Sequence, residues 1–316
     1  MPVRHKTDDA RYFLGIDGGG TRTTAWLADA RGRVLGRATG GASNPVKVGL
    51  KTAEREIVAT AREARRAAGL GRIRIDSVCA GVAGAAGDEM RRPLAQALER
   101  GIPARLHLLT HDAAIALECA LGSAPGVIVI SGTGSIAFGR GAKGRVLRSG
   151  GWGSQFDDEG SGYDIGRKAI QAALRAEDGR GPRTRLGTDI CQSLRIGATA
   201  EIGGLDPDRV AALFPVVHRA ALEGDSVARR LCIEAGADLA ALAAALLSRT
   251  GSRKEARRVI CAGGVFKASE IVRRSFARRL RRSSPGVTIA LLHRQPVEGA
   301  VALAMRAAHC AQDEVR

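Results

Sequence analysis

The sequence predicts an α/β protein of two related lobes, each a mixed sheet flanked by helices. Three observations support this class. Short β-branched runs alternate with amphipathic helical patterns along most of the chain. Two glycine-rich stretches, "DGGGTRT" and "SGTGSIA", each lie between runs that suit strands. Finally, the segment around the second stretch repeats the segment around the first.

The first glycine stretch is predicted to join two antiparallel strands. The run "YFLGID" leads into it and the Thr-rich run "TRTTAWLA" follows it, so an extended chain continues where a Walker or dinucleotide loop would open a helix. "DARGR" then predicts a tight turn. Backbone N–H groups at such a tip can form an anion-binding nest, and adjacent glycines let phosphate approach closely. The stretch therefore indicates a phosphate loop on a hairpin.

The internal repeat has an offset of 112 residues and needs no gap. It places Gly20 on Gly132, and the "GRVL" at 32–35 on the "GRVL" at 144–147. Strand, glycine loop, strand, turn and strand thus occur twice. Two lobes that each open with such a hairpin predict a cleft in which a nucleotide is held from both sides. We place the lobes at 11–115 and 116–295, with a terminal helix at 296–316 that packs back on the first lobe.

Composition limits the function classes. The chain has 316 residues, 45% hydrophobic and 3% aromatic, which suits two domains with aliphatic cores. Six cysteines without a CxxC pair predict a reduced cytoplasmic protein rather than a metal or disulfide framework. The charged first twelve residues show no secretory signal, and the apolar run at 238–247 is too short to span a bilayer. We therefore expect no membrane partner.

The formal charge of +17 raises the question of nucleic-acid binding. The arginines recur at helical spacing, as in "REARRAAG", and no stacking aromatic residues are interleaved with them. Solvated helix faces are therefore the better interpretation, and nucleic acid is not an expected partner. A basic surface also attracts anionic nucleotides.

Five motifs resemble a known family. "GIDGGGTRT", "THDAAIAL", "ISGTGSIA", "GGWGSQFDDEGSGYDIGRKAI" and "CAGGVF" occur in the order and rough spacing of the N-acetylglucosamine kinase branch of the BadF/BadG/BcrA/BcrD ATPase family. The resemblance runs from about Tyr12 to Met305. It implies two actin-like (ribonuclease H-like) lobes with an interlobe nucleotide cleft, ATP and Mg²⁺ as cofactors, and phosphorylation of an amino sugar, most readily N-acetylglucosamine to its 6-phosphate. We also expect a homodimer.

Phosphoryl transfer needs phosphate cradles, a metal anchor and a base. The resemblance implies that the ATP phosphates are bound by Gly18, Gly19, Gly20, Thr21, Gly132, Thr133 and Gly134. It places the adenosine beside Gly263 and Gly264. Asp17 stands at the end of the strand before the first glycines, where a carboxylate can hold Mg²⁺ through water.

On the acceptor side, the resemblance implies that Asp112 is the catalytic base. It implies sugar contacts for Asn44, Gly151, Trp152 and Asp158. Structural alternatives stay open: Asp112 as a helix N-cap, Trp152 as a core side chain and Asn44 as a plain loop residue. His111 is expected to be structural.

Two departures from the family pattern concern specificity. The family usually has glycine at the position of Asp157 and often has tryptophan at the position of Asp164. Both aspartates add negative charge near the expected sugar pocket. Glucosamine, whose ammonium group is cationic, is therefore an alternative acceptor.

A second alternative is the ATPase activator of a radical dehydratase, which holds an iron–sulfur cluster at a dimer interface. Cys79 and Cys119 do not lie in the motifs that would supply such ligands. Gly299, in a segment that resembles the closing hinge helix of the family, is expected to permit close approach between the lobes.

Overall fold

The computed structural model describes residues 11–71, 73–85, 87–141, 143–250 and 257–313. The chain divides into two compact units: unit 1 comprises residues 1–123 and 294–316, and unit 2 comprises residues 124–293. The boundary predicted between 115 and 116 falls inside the helix Asp112–Leu121, so the division comes after that helix ends. Residues 1–10, which led us to expect no secretory signal, and residues 314–316 of the predicted terminal segment lie outside the described residues.

Unit 1 is built on a five-stranded sheet. Its elements before residue 123 are β1 (Tyr12–Gly18), β2 (Thr23–Asp29), β3 (Val34–Gly40), α1 (Pro45–Val48), α2 (Leu50–Ala67), β4 (Ile75–Val82), α3 (Asp88–Gly101), β5 (Ala104–Thr110) and α4 (Asp112–Leu121). The strand order is β3-β2-β1-β4-β5. Strands β1, β4 and β5 are parallel, and β2 is antiparallel to β1 and β3. The predicted hairpin is confirmed, because Gly18 pairs with Thr23 across β1 and β2.

Local sequence explains the central elements of unit 1. Strand β4, "IDSVCAGV", is buried at every position, as expected for a parallel strand covered on both faces. Helix α2 buries Ala53, Ile57, Ala61 and Ala64 at helical spacing. This apolar stripe belongs to the same core cluster as Ile16 of β1, so α2 covers one face of the sheet.

Unit 2 has the same layered organisation with more helices. Its elements are β6 (Gly126–Ser131), β7 (Ser135–Arg140), β8 (Val146–Gly150), α5 (Gly162–Glu177), α6 (Leu186–Leu194), a 3₁₀ helix (Thr199–Ile202), α7 (Pro207–Ala211), α8 (Phe214–Leu222), α9 (Ser226–Arg249), β9 (Arg258–Ala262), α10 (Gly264–Ala268), α11 (Glu270–Ser283) and β10 (Thr288–Leu291). The strand order is β10-β9-β6-β7-β8. Strands β6, β9 and β10 are parallel.

The internal repeat is confirmed by the two sheets. Strands β6 to β10 take the places in unit 2 that β1 to β5 take in unit 1. The offset carries Thr23, which begins β2, onto Ser135, which begins β7. It also carries Val34, which begins β3, onto Val146, which begins β8. The predicted α/β class with two mixed sheets and flanking helices is therefore confirmed.

The last helix, α12 (Pro296–Asp313), belongs to unit 1 and packs on β1, β4 and α4. A Cβ on Gly15 of β1 would lie 2.5 Å from the Val301 nitrogen, and one on Gly299 would lie 2.0 Å from the Ile115 carbonyl oxygen. The expectation that Gly299 serves an approach between the lobes is wrong, because its close neighbours belong to α4 of the same unit.

Helix α9 is the one helix among the described residues that could cross a membrane by length and composition alone. It is longer than the apolar run at 238–247 on which the sequence prediction relied. Half of the 18-residue apolar stretch of this helix is buried. Leu231, Leu239 and Leu246 belong to the main core cluster of unit 2. Such packing is that of a helix inside a protein core.

Candidate active-site residues

The first glycine loop is held in place by the segment that follows β3. The Gly19 N–H donates to the Arg22 carbonyl oxygen at 2.9 Å, which closes the turn between β1 and β2. The Gly19 carbonyl oxygen in turn accepts from the N–H groups of Ser43 at 3.0 Å and Asn44 at 3.1 Å. The loop therefore presents a fixed backbone at the carboxyl end of β1, as the predicted phosphate loop requires.

Asp17 and Asp112 lie at the same edge of the unit 1 sheet. Asp17 of β1 is in register with Gly81 of β4, which is in register with Thr110 of β5, two residues before Asp112. Parallel strands bring their carboxyl ends to one edge. Burial raises the pKa of Asp17 from 3.8 to about 6, and the negative charge of Asp112 adds to this increase while Arg22 opposes it. The two carboxylates therefore interact electrostatically.

Asp112 is the first residue of α4 but is not its cap. The cap is His111, whose Nδ1 accepts from the Ala114 N–H at 3.2 Å. The alternative that assigned the N-cap to Asp112 is wrong, and the expected structural role of His111 is confirmed. Asp112 is exposed, and its Oδ1 accepts from the Ala113 N–H at 2.9 Å. Its carboxylate is thus accessible to a substrate hydroxyl.

Asn44 connects three loops of unit 1. Its Oδ1 accepts from the Val46 N–H at 3.0 Å and so caps α1. A Cβ on Gly84, after β4, would lie 2.3 Å from the same oxygen, which explains why glycine is needed there. The Ala83 N–H donates to the Gly18 carbonyl oxygen at 2.8 Å. Because the Asn44 oxygen is used by the cap, its amide N–H groups are the part that can donate to a substrate.

The second glycine loop joins β6 to β7 and is bound to the start of α5. The Gly132 N–H donates to the Gly134 carbonyl oxygen at 2.9 Å. The carbonyl oxygens of Gly132 and Thr133 accept from the N–H groups of Gly162 at 2.8 Å and Tyr163 at 3.1 Å. The loop is thereby fixed to a helix of its own unit.

Asp158 lies against this second loop. It is 8% exposed, and its Oδ1 accepts from the Ser135 N–H at 3.0 Å. A Cβ on Gly134 would lie 2.9–3.1 Å from its carboxylate atoms. Burial raises the pKa of Asp158, the bond from Ser135 lowers it, and the charges of Asp157 and Asp164 raise it further. The resemblance implies a sugar contact, whereas the structure shows a carboxylate that supports the second glycine loop.

Trp152 is presented at the surface of unit 2. It is 71% exposed, so the interpretation as a core side chain is wrong. The Arg148 guanidinium carbon lies 3.9 Å from the centre of its ring, a cation–π contact, and its N–H donates to Asp157 Oδ2 at 3.0 Å. Gly151 has φ +75°, and a Cβ there would lie 2.3 Å from the Ile136 side chain. Only glycine therefore suits the position before the indole.

Asp164 is buried and paired. Its Oδ1 accepts from Arg167 Nη2 at 3.0 Å, and its Oδ2 lies 2.7 Å from Lys168 Nζ. The Oδ2 also accepts from the Gly160 N–H at 3.0 Å, and Lys168 makes a second ion pair with Asp238 at 3.2 Å. Asp164 is 2% exposed and is paired with two cations, so its carboxylate is not available for direct contact with a sugar. Its charge still helps to raise the pKa of Asp158 and of Glu159.

Asp157 keeps its charge. Burial acts to raise its pKa, but the bonds from the Trp152 N–H and the Glu159 side chain outweigh it and lower the pKa overall. The same bond to Asp157, followed by burial, raises the pKa of Glu159. Of the two carboxylates that depart from the family pattern, Asp157 is therefore the one that can act on a cationic ligand.

Gly263 and Gly264 follow β9. A Cβ on Gly263, which has φ +97°, would lie 2.1 Å from the Ser131 carbonyl oxygen. A Cβ on Gly264, the first residue of α10, would meet nothing within 4 Å. The structure thus brings Gly263 to the residue that precedes the second glycine loop and leaves the face of Gly264 open.

Comparison with known proteins identifies the family. The family model of the BadF/BadG/BcrA/BcrD ATPase family matches residues 14–305. The chain belongs to this family. An N-acetylmuramic acid/N-acetylglucosamine kinase from Clostridium acetobutylicum is 33% identical over 306 residues, which cover 93% of this chain and 98% of that protein. An N-acetyl-D-glucosamine kinase from Dictyostelium discoideum is 28% identical over 313 residues, with coverages of 93% and 97%.

A solved structure agrees with this membership. The crystal structure of a protein assigned as an N-acetylglucosamine kinase from Chromobacterium violaceum matches with a TM-score of 0.75 at 28% identity, and covers 93% of this chain and 99% of that one. The fold of this BadF/BadG/BcrA/BcrD ATPase is therefore that of the actin-like ATPases and sugar kinases.

Asp17 has the chemistry of a magnesium anchor. Carboxylate oxygens are ligands that Mg²⁺ prefers, and a divalent cation would relieve the repulsion that helps to raise the pKa of Asp17. The described residues contain no group of three or more His, Cys, Asp or Glu side chains suited to a metal. Water and phosphate oxygens would therefore complete the coordination, which is usual for Mg²⁺ in phosphoryl transfer.

Sequence reasoning missed side chains that support the first glycine loop. The Thr23 hydroxyl lies 2.7 Å from the Ser43 hydroxyl, and both are buried. The Lys47 Nζ lies 3.4 Å from the place that a Cβ on Gly20 would occupy. Ser43 and Lys47 flank Asn44 closely in sequence, so a search around that predicted residue would have found them.

Proposed function

We propose that this chain transfers the γ-phosphoryl group of ATP to O6 of an amino sugar, with N-acetylglucosamine as the acceptor and Asp112 as the base. The chain is an ATP-dependent sugar kinase, which follows from its family and from kinase relatives that match almost their whole length. The acceptor, the position of transfer and the residue roles belong to the proposal.

The placement of Asp112 carries the proposal. It is exposed at the edge of the sheet where Asp17 also lies, and His111 rather than Asp112 caps the helix. A carboxylate in this position can orient a sugar hydroxyl and accept its proton as the phosphoryl group is transferred. The N-cap role, which would have explained Asp112 without catalysis, belongs to His111.

The glycine loops would bind the nucleotide. The residues that we assign to the ATP phosphates are Gly18, Gly19, Gly20, Thr21, Gly132, Thr133 and Gly134. We assign Gly263 and Gly264 to the adenosine. The N–H groups of Gly19 and Gly132 already donate within their turns, so other backbone N–H groups of the two loops would donate to the phosphate oxygens. Magnesium, held by Asp17 through water, would neutralise charge on the phosphate oxygens when bound.

The acceptor residues would be Asn44, Gly151, Trp152 and Asp158. The amide N–H groups of Asn44 can donate to the sugar, and the exposed indole of Trp152 can pack on its apolar face. Asp158 has one carboxylate oxygen bonded to the Ser135 N–H. The sugar contact that the resemblance implies would therefore use the other oxygen.

A coupled assay of ADP formation over a panel of hexoses and hexosamines tests this function, and NMR of the product locates the phosphate. We expect the highest turnover with N-acetylglucosamine and a 6-phosphate product. The Asp112→Asn variant should retain ATP binding by calorimetry and lose roughly a hundredfold or more in kcat, the usual contribution of a general base.

Asp88 provides a matched control, because it is an exposed aspartate that is also the first residue of its helix, α3. Its Asn variant should keep wild-type turnover. If Asp112→Asn proves nearly as active as Asp88→Asn, the base assignment is wrong. If the wild-type protein phosphorylates no amino sugar, the proposed function is wrong.

Glucosamine is the alternative acceptor, and the ionised Asp157 beside Trp152 favours it. A carboxylate there would attract the ammonium group of the free amino sugar. The test compares both sugars in the wild type and in Asp157→Gly, which restores the residue usual in the family. A gain in preference for N-acetylglucosamine in the variant supports the role of Asp157, and an unchanged ratio excludes it.

The radical-dehydratase activator is less consistent with the structure. A cluster shared across a dimer interface needs accessible thiols, whereas Cys79 is 0% and Cys119 is 3% exposed. Burial raises the pKa of Cys79 to about 12 and that of Cys119 to about 11, so neither thiol readily forms the thiolate that ligates iron. Iron analysis and the absorption spectrum of anaerobically purified protein would test this alternative.

A homodimer and a cytoplasmic location stay predictions. Light scattering of the purified chain, with and without ATP, tests the first, and fractionation of the native cells tests the second.

A further inference from the structure

Lys47 brings a positive charge to the tip of the first glycine loop. It lies on α1, and its side chain passes directly over Gly20. The Cδ, Cε and Nζ atoms lie 3.3, 3.4 and 3.4 Å from the place that a Cβ on Gly20 would occupy. Because Gly20 has no side chain, the end of the Lys47 side chain can lie beside this position of the loop.

The loop also fixes the position of Lys47. The Lys47 N–H donates to the Asn44 carbonyl oxygen at 3.0 Å, and the Asn44 N–H donates to the Gly19 carbonyl oxygen at 3.1 Å. The base of the lysine and the glycine turn are therefore joined through a single intermediate residue. Movement of the loop would carry the lysine with it.

The ammonium group has no acidic partner in the part of the chain that the structure describes. Lys47 is exposed and forms no salt bridge there. Lys168 of unit 2 is the contrast, since it contacts the carboxylates of both Asp164 and Asp238. An uncompensated ammonium group beside a glycine loop is suited to bind an anion.

We propose that Lys47 binds the phosphoryl group that is transferred from ATP. This inference rests on the proposed kinase function. The lysine projects from the helix that begins directly after Asn44, on the acceptor side, and it ends at the loop assigned to the ATP phosphates. The transferred phosphoryl group is the anion that lies between the sugar acceptor and the ATP phosphates. Its oxygens carry the negative charge that must be stabilised during transfer. A lysine ammonium serves this purpose as a compact point charge.

The test compares Lys47→Met, which keeps the length of the side chain but removes its charge, with Lys47→Arg, which keeps the charge. Lys51→Met is the control, because Lys51 is an exposed lysine in the next helix. Calorimetry with Mg²⁺ measures the Kd of ADP and of the triphosphate analogue AMP-PNP. Steady-state kinetics measures kcat and the KM of ATP and of N-acetylglucosamine.

In Lys47→Met we expect AMP-PNP affinity and kcat/KM for ATP to fall roughly tenfold or more, the loss typical of one charge-assisted hydrogen bond. The Kd of ADP should change far less, since ADP lacks the transferred group. Lys47→Arg should recover most of the loss, and Lys51→Met should behave as the wild type. Equal melting temperatures of all variants would show that they are folded.

Three results would overturn the inference. Equal losses for ADP and AMP-PNP would place the lysine at another phosphate. A change confined to the KM of the sugar would make Lys47 an acceptor residue. Unchanged constants in Lys47→Met would give it no role. The proposed function fails separately, if the wild type has no turnover on any amino sugar, and the nucleotide affinities still test Lys47 in that case.

Discussion

Replacing Asp17 by asparagine should make the protein more stable at neutral pH while it removes kinase activity. Burial, with the charge of Asp112 as the second cause, raises the pKa of Asp17 from 3.8 to about 6. A shift of about two units corresponds to about 3 kcal/mol against the ionised form, at about 1.4 kcal/mol per unit. The folded protein carries this penalty because the carboxylate is buried beside a second negative charge, and asparagine would relieve it.

The pH dependence has a definite sign. Asp17 ionises near 3.8 in the unfolded chain and near 6 in the folded one. Between these values the folded state binds more protons than the unfolded state, so its stability falls as the pH rises. Below about pH 4 both states are protonated and the penalty is absent. The advantage of Asp17→Asn should therefore grow from near zero at pH 4 to at most about 3 kcal/mol at pH 7.

Urea unfolding at several pH values without metal measures this difference. Trp26 is 7% exposed and belongs to a core cluster of unit 1, so tryptophan emission reports the unfolding of the unit that contains Asp17. A difference between Asp17→Asn and the wild type that stays constant from pH 4 to pH 7 would refute the reasoning. So would a wild type that is the more stable protein at pH 7.

Asp29 is a control of opposite sign. Slight burial acts to raise its pKa, but hydrogen bonds from the side chain and backbone of Arg33 and from the backbone of Arg31 lower it overall. The stabilisation from this carboxylate is present above its unfolded pKa and is lost as the pH falls. Asp29→Asn should therefore be less stable than the wild type at pH 7, and the two should converge at low pH.

Two further predictions concern unit 2. Gly263→Ala should destabilise the protein by about 2–5 kcal/mol, because a Cβ would meet the Ser131 carbonyl oxygen at 2.1 Å and φ is +97°; urea unfolding checks this against Gly264→Ala, and equal stabilities would contradict it. If the exposed Trp152 packs on the sugar, N-acetylglucosamine should shift the tryptophan emission to shorter wavelength in the wild type and not in Trp152→Phe. A shift that survives in Trp152→Phe would assign the signal to Trp26.

The hairpins, the repeat and the class of fold could be predicted because their signals are local. The run after Gly20 is rich in Thr, and the run before Gly132 is rich in Val and Ile, so both segments favour an extended chain by their own composition. The repeat needed only a comparison of the chain with itself. The position of Asp17 before the first glycines likewise follows from a strand that ends where the loop begins.

Other features depend on residues far apart in sequence. The charge environment of Asp164 depends on Asp238, which shares Lys168 with it from a different helix. The role of Asp158 depends on Ser135. Gly299 is interpreted from the sequence as a residue for contact between the lobes because the residues around it give no indication that it packs against Ile115. The spacing of residues predicts each helix or strand separately. Contacts between residues of different elements can be identified only from the packed structure.

Because α12 packs on unit 1, the two units become able to fold at different times during synthesis. Unit 2 is continuous, whereas unit 1 needs residues from both ends of the chain. Until Ala300 and Ala304 leave the ribosome, the buried surface around Phe13 and Ile115 lacks its cover. Unit 2 can therefore fold before unit 1 is complete, and unit 1 exposes apolar surface until α12 is made. A nascent chain stalled before α12 should need a chaperone at the unit that was made first.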